Sequence, residues 1–372
     1  MRKLMIYPYD DEFNPVLKHK DLLEGYRISE VVSLKGWGFC GKDAGITNAR
    51  DKLGFLVTNE FADRLNQCDA VLFCETRIPV DFDKIILPKV DLAAKYGKSI
   101  LFAAKLEGQD YDEVLRKCNE NNVDFKYFHN GGKVWDDGNI GRFEESLLDI
   151  FTPVIFVFGT SQRTNKFDIQ LSLRKSFMDK GYRVSQIGSR NYCELLGFHS
   201  FPSFMSSNRS EDSKILMFNR YVKEIELTEA PDVIIIGIPG GVIPFNTKFT
   251  NKFGIFAYEV SQAVTPDASI FSSLYNEYRA EYFSMLSASV KYKLGYDIDC
   301  FNLSNNIFDW IDSDYNGKEV YVTVSADIVD EKLKDFDKLD TPVGNVLNDD
   351  SAERMAEFLM DKLAGYAETE CV

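Results

Sequence analysis

The sequence predicts an α/β protein made of two parallel-sheet domains in tandem, and three observations predict it. At 372 residues the chain exceeds the roughly 100–200 residues of one ordinary domain. Short apolar runs such as Ala70–Cys74 and Val154–Phe158 alternate with segments of helical apolar spacing, and strands apolar throughout are what a sheet covered on both faces requires. Thr152-Pro153 stands between a helical pattern and a new apolar run. Proline cannot continue a helix, so this point divides the chain into domains of residues 1–152 and 153–372.

In the first domain Lys3–Tyr7, Ile28–Leu34, Ala70–Cys74, Ser99–Ala103 and Phe125–Phe128 have strand character. Helices are expected over Leu87–Tyr96 and Asp112–Asn119, with Gly97 as the left-handed cap of the former. This alternation gives a Rossmann-like parallel sheet. A helix over Phe143–Phe151 leads to the break. Beyond it, strand Val154–Phe158 is followed by a helix over Phe167–Lys180, where Phe167, Leu171, Phe177 and Met178 recur at helical spacing and Gly181 ends the run. Tyr182–Ile187, Pro231–Ile238, Gly254–Tyr258, Ala268–Phe271 and Val320–Val324 read as strands, and Asn208–Glu226 and Leu274–Leu286 as helices. Ser351–Tyr366 reads as an amphipathic helix whose Met355, Phe358, Leu359 and Leu363 pack on the core.

A formal charge of −15 argues against a broad basic surface that grips nucleic acid or an anionic membrane, while leaving room for a local basic pocket. No run of about 18 apolar residues occurs, and Met1–Phe13 lacks the pattern of a secretory signal, so a cytoplasmic protein is expected. Seven cysteines, Cys40, Cys68, Cys74, Cys118, Cys193, Cys300 and Cys371, form no C-x-x-C pair and fit reduced thiols. With His19, His129 and His199 as the complete set of histidines, no metal site of the zinc type is expected.

The chemistry concentrates in Gly159-Thr-Ser-Gln-Arg-Thr-Asn-Lys-Phe167, directly between an apolar strand and an amphipathic helix. In that position the unpaired N–H groups at the helix start and the helix dipole favour an anion, and Lys166 reaches outer phosphates. The candidate binding residues are therefore Gly159, Thr160, Ser161, Gln162, Arg163, Thr164, Asn165, Lys166 and Phe167. The spacing is one residue longer than the commonest phosphate loop. A second glycine-rich strand end, Asp232-Val-Ile-Ile-Ile-Gly-Ile-Pro-Gly-Gly241, adds Gly240 and Gly241. The alternative is a plain turn with a solvated Lys166.

These two motifs resemble the P-loop of the dethiobiotin synthetase and cobyrinate amidotransferase type, where a second strand ends in Glu-Gly-Ala-Gly-Gly beside the phosphates. The resemblance covers roughly Val154 to Phe271 and implies a P-loop NTPase-like fold that binds ATP or another phosphate-containing ligand. Three departures stand out. Asn165 replaces the last loop glycine, Phe167 replaces the Ser or Thr that holds magnesium, and Gly237 replaces the metal-site glutamate. Their loss argues against an ordinary magnesium site and against ordinary ATP hydrolysis. Asp168, Asp232 and Thr164 are weighed as substitute ligands.

Over its whole length the chain resembles a peptide maturation family of natural-product clusters, through Met5-Ile-Tyr-Pro-Tyr-Asp10, Lys35-Gly-Trp-Gly-Phe-Cys-Gly-Lys-Asp-Ala-Gly45 and Thr164-Asn-Lys-Phe-Asp-Ile-Gln170. The resemblance implies a role in modifying a ribosomally made, cysteine-rich precursor peptide, with that peptide and an acyl-carrier-related protein as partners. Two classes of function stay open. One is a nucleotide- or phosphate-binding maturation factor that activates a carboxylate at the expense of ATP. The other is a non-catalytic scaffold that keeps the fold and holds peptide or carrier.

A second candidate site lies at Lys35, Gly36, Trp37, Gly38, Lys42 and Asp43, where closely spaced glycines let backbone approach a ligand while Trp37, Lys42 and Asp43 offer stacking and charge. A surface loop with Trp37 folded inward is the other reading. Cys40 is weighed as a nucleophile, though no histidine accompanies it. Asn130–Lys133 reads as a turn and His199 as a packed histidine. Glu259 and Asp267, after a presumed strand, are weighed as pocket residues against loop caps.

Overall fold

The computed structural model describes residues 1–128 and 146–369. The chain divides into two compact units, residues 1–134 with 190–200, and 135–189 with 201–372.

In the first unit the strands are β1 (Arg2–Tyr7), β2 (Tyr26–Val32), β3 (Val57–Thr58), β4 (Ala70–Phe73), β5 (Ser99–Phe102) and β6 (Phe125–Tyr127). All pair in parallel, in the order β3-β2-β1-β4-β5-β6. This is the doubly wound order, which reverses between β1 and β4. Every residue of β4 and β5 is buried, and Val71, Phe73, Ile100 and Phe102 share one core with Val90 and Ala93 of helix Leu87–Lys95. Gly97 at φ 69° turns the chain out of that helix, its N–H donating to Ala94 O at 2.8 Å. Residues 190–200, which include β9 (His199–Ser200), join this unit through side-chain and backbone contacts that sequence spacing does not connect. The Tyr192 ring lies 5.6 Å from that of Phe13, Arg190 pairs with Glu12, and Glu24 N donates to Leu195 O at 2.8 Å.

In the second unit the strands β7 (Val154–Gly159), β8 (Val184–Gly188), β10 (Val233–Gly237), β11 (Ala268–Ser273), β12 (Cys300–Leu303) and β15 (Val343–Gly344) form a parallel sheet ordered β15-β12-β11-β7-β10-β8. Strands β13 (Asn306–Phe308) and β14 (Tyr321–Thr323) make a separate antiparallel pair. Both faces of the sheet are covered. Ile155, Val157, Ile235 and Ile270 pack with Ile169 and Leu173 of helix Lys166–Asp179 and with Met355 and Leu359 of helix Asp349–Thr369. Phe156, Phe158, Ile234 and Phe271 pack on the other side with Phe218, Val260 and Phe283. That two-sided burial is why β7 and β10 read as unbroken apolar runs.

Four expectations are corrected. Residues 146–151 form no helix; the Leu148 N–H is taken by Asn219 Oδ1 at 2.8 Å and the Phe151 and Thr152 N–H groups by Glu226 Oε1 at 2.7 and 2.6 Å, so side chains satisfy this backbone. Gly254–Tyr258 is not a strand: Gly254, at φ 73°, caps helix Ile255–Ala263, because a short apolar run fits either period. Helix Leu274–Leu286 is instead Ala280–Leu294, since Tyr275 N is drawn to Asn306 O at 2.8 Å. In the last helix Met355 and Leu359 are buried but Phe358 is 40% exposed, off the packed stripe. The Asn130–Lys133 turn, the first residues of the expected Phe143–Phe151 helix, His129 and Cys371 lie outside the described residues.

Candidate anion-binding site

Strand β7 delivers Gly159 to its carboxyl edge, and the 14-residue helix Lys166–Asp179 leaves from the same place. Between them two residues take left-handed backbone, Arg163 at φ 58° and Asn165 at φ 60°. Asparagine tolerates this conformation better than most side chains, so Asn165 preserves the turn that the missing glycine would make. Gly159 has no substitute: a Cβ there would lie 2.2 Å from Ser272 O and 3.0 Å from Thr164 Oγ1. Its absence lets Thr160 N reach Ser272 O at 2.9 Å.

The loop carbonyls are tied back by side chains from neighbouring strands. Ser272 Oγ donates to Thr164 O, Asn306 Nδ2 donates to Arg163 O at 2.9 Å, and Asn302 Nδ2 steadies Ser272 Oγ at 2.8 Å. In a trans peptide the C=O and the following N–H point in opposite directions. The N–H groups of Thr164 and Asn165 therefore face away from these anchors. Lys166 folds back over the same curl, 8% exposed, its ammonium donating to Ser161 O and to Thr164 Oγ1 at 3.2 Å. The Thr160 hydroxyl is buried and has no hydrogen-bond partner among the described residues, an unmet demand that costs about 1–3 kcal/mol unless something satisfies it.

The second glycine motif meets the first. β10 pairs with β7 through Ile236 and Phe156, and beyond it Gly241 rests on the loop: a Cβ there would lie 2.4 Å from Thr160 O and 2.6 Å from Ser161 Cα. Gly240, at φ 80°, faces open space. Val242 N donates to Gly159 O at 3.1 Å, and Asn251 Nδ2 bridges Thr160 O and Ile243 O at 3.3 and 2.7 Å. Gly159 to Phe167, Gly240 and Gly241 thus share one sheet edge, at the strand where the order reverses. Ser161 is wholly buried and Gln162 is exposed.

Magnesium held in the ordinary P-loop manner does not fit these residues. Phe167 is 4% exposed, packed where a hydroxyl would be needed. A Cβ on Gly237 would fall 2.1 Å from the Gln170 carboxamide, which fills the space of the missing glutamate. Asp232 sits at the amino end of β10, in a two-point pair with Arg183 at 2.8 and 3.2 Å; the guanidinium holds its carboxyl below the ordinary value. The Thr164 hydroxyl is engaged by Lys166 and Ser161 O. Asp168 is buried in the first helical turn, 3.4 Å from Asn165 Nδ2. Among the described residues no group of three or more His, Cys, Asp or Glu side chains is arranged to hold a metal.

Other candidate residues have separate duties. Asp267 precedes β11, so it lies at the amino edge, where its carboxylate caps Val154 N at 2.8 Å; the presumed strand that placed it at the carboxyl edge is a helix. Glu259, on that helix, is fully buried 3.5 Å from the Lys214 ammonium, and burial raises its carboxyl above the ordinary value. In the first unit Asp43 accepts from the N–H groups of Gly45, Leu53 and Gly54 at 2.8–2.9 Å, which makes it the anchor of the glycine-rich loop. Lys35, Gly36, Gly38 and Lys42 are exposed, while Trp37 is half-buried with its ring 6.5 Å from Phe39. Cys40 is half-buried with Sγ 3.9 Å from Leu34 O, and His199 is half-buried on β9.

Sequence reasoning missed Ser272, Asn302 and Asn306, which shape the loop from about 110–140 positions away in the chain. A signal existed: Asn302 and the Ser304-Asn-Asn306 run stand at the carboxyl end of an apolar strand, where polar side chains have a site to serve. Also missed was Tyr321, whose ring lies 5.6 Å from the Arg163 guanidinium.

In fold, the chain is similar to a DUF1611 family protein. That solved structure, from Anabaena variabilis ATCC 29413, superposes with a TM-score of 0.62 over 97% of this chain and 100% of its own, at 10% sequence identity. At this identity the likeness is one of fold. An apo-form GTPase from Pyrococcus abyssi (14% identity, 55% of this chain, 84% of its own, TM-score 0.29) and S. aureus homoserine dehydrogenase (13%, 61% and 50%, 0.24) superpose too loosely to carry an argument. No family model and no curated protein matches the chain. Among the described residues no helix is long and apolar enough to cross a membrane.

Proposed function

We propose that the second unit binds a phosphate-bearing ligand, a nucleotide such as ATP in the first instance, in the curl from Gly159 to Lys166. The observation that carries this reading is a helix start that holds the buried Lys166 ammonium and, in the same loop, a buried Thr160 hydroxyl with no hydrogen-bond partner among the described residues, while Asn306 and Ser272 tie back the Arg163 and Thr164 carbonyls. A helix start with one cation suits a phosphate oxygen. On the resemblance of the sequence to a peptide maturation family, the proposed setting is the modification of a ribosomally made peptide, with precursor peptide and an acyl-carrier-related protein as partners.

As an enzyme the protein would activate a carboxylate by phosphoryl transfer from ATP. The packed Phe167 and the Gln170 carboxamide beside Gly237 favour the second reading, a scaffold that binds without transfer, because transfer relies on a metal to neutralise the phosphate oxygens. Calorimetric titration of ATP into the wild type and Lys166→Ala, with phosphate release followed in parallel, tests both. Binding lost in the variant supports the site, turnover decides for the enzyme, and equal binding by both proteins removes the loop from consideration.

A further inference from the structure

The residues around the loop point to a site that works without a divalent cation. We propose that the Gly159–Lys166 curl takes an uncomplexed phosphate or pyrophosphate group, with Lys166 and the helix start in place of a metal; this rests on the reading above that the curl binds phosphate.

Both places from which an ordinary P-loop holds magnesium are physically filled. At Phe167 an aromatic ring, 4% exposed, is part of the packed interior. At Gly237 the lack of a side chain is complemented by Gln170, fully buried one helical turn beyond Lys166. Its carboxamide occupies the position a Gly237 Cβ would take, with Cδ and Oε1 each 2.1 Å away. That carboxamide is fixed by Ser189, whose N–H donates to Oε1 and whose hydroxyl accepts from Nε2, both at 3.3 Å. Gly237 and Gln170 therefore fit each other, and a neutral amide stands where a carboxylate would complete a cation site. Magnesium demands near-octahedral oxygen ligands, usually one or two carboxylates beside the phosphates. Asp168, the carboxylate of the first helical turn, is engaged by Asn165 instead. Charge on the ligand is left to the buried Lys166 ammonium and the dipole of the 14-residue helix.

The test uses the full chain, with inorganic pyrophosphate and ATP titrated calorimetrically in EDTA and in excess magnesium chloride. The expected result is pyrophosphate binding in EDTA that magnesium fails to tighten by more than about twofold, and its loss in Lys166→Ala. Binding that appears with magnesium alone, or tightens at least about tenfold with it, overturns the metal-free site while leaving the phosphate loop intact. Absence of binding under both conditions overturns the phosphate reading itself. A second arm restores the carboxylate: in Gln170→Ala/Gly237→Glu, magnesium is expected to tighten pyrophosphate binding about tenfold. If that variant keeps its circular dichroism and binds pyrophosphate without any response to magnesium, Gln170 does not stand in the carboxylate's place and the inference fails.

Discussion

Gly241→Ala is the sharpest test of whether the two glycine motifs form one site. A methyl group there would come 2.4 Å from Thr160 O and 2.6 Å from Ser161 Cα, backbone atoms that cannot rotate out of the way. Carbon in real structures does not approach below about 3.0 Å, so Thr160 O must retreat by at least ~0.6 Å. Overpacking of this kind costs about 1–3 kcal/mol, which for a unit of this size lowers Tm by roughly 2–4 °C per kcal/mol. The retreat also displaces the loop that carries Thr160 and leads to Lys166, and pyrophosphate affinity is expected to fall by at least about tenfold. Gly240→Ala is the internal control. It meets no atom within 4 Å, and its cost is limited to holding alanine at φ 80°, roughly 1–2 kcal/mol. Differential scanning fluorimetry and calorimetric titration on the three proteins decide the matter. Gly241→Ala that melts and binds like the wild type would refute the close approach of Gly241 to the loop, and with it the single site.

Lys166→Ala removes the ammonium proposed to face the ligand, along with its two hydrogen bonds to the loop; at about 1.5–3 kcal/mol for one charge-assisted hydrogen bond to a phosphate oxygen, pyrophosphate binding is expected to weaken by at least about tenfold, read by calorimetry. Asp10 is buried, and desolvation raises its carboxyl to about 7 despite the N–H donors of Arg77 and Glu12. Because the folded value lies above the unfolded one, the folded state holds the proton more tightly, and its stability is expected to fall as pH rises from about 4 to 7, by no more than about 4 kcal/mol. Urea midpoints for wild type and Asp10→Asn at acid and alkaline pH test the sign, with the slope flattened in the variant. Asp43→Ala strips the acceptor from three N–H groups and is expected to destabilise the first unit by about 2–4 kcal/mol, read as a lower urea midpoint and faster proteolysis within residues 36–54.

The sequence alone determined the local features. Unbroken apolar runs at Val154–Phe158 and Ile234–Ile236 required parallel strands buried on both faces, and the alternation of the first part required a doubly wound sheet; both are present. The loop's position between strand and helix was equally legible, because the apolar run ends at Gly159 and helical spacing begins at Phe167. Where a segment was short and apolar throughout, as in Gly254–Tyr258, the period was undetermined, and the left-handed Gly254 settled it as a helix start.

What only tertiary structure decided is which side chains the loop answers to. Ser272, Asn302 and Asn306 shape the loop because β11 lies beside β7, β12 lies beside β11, and Asn306 opens β13 just beyond β12, an arrangement set by packing of the whole sheet. Gly237 read as a missing ligand, yet Gln170 explains it: the helix brings the carboxamide into the space a side chain would claim. Residues 190–200 show the same limit, since Tyr192 and Arg190 find Phe13 and Glu12 across nearly 180 positions of chain. Periodicity reports how a segment is buried; it carries no record of which distant segment buries it, and that choice is made by shape and charge once the sheets exist.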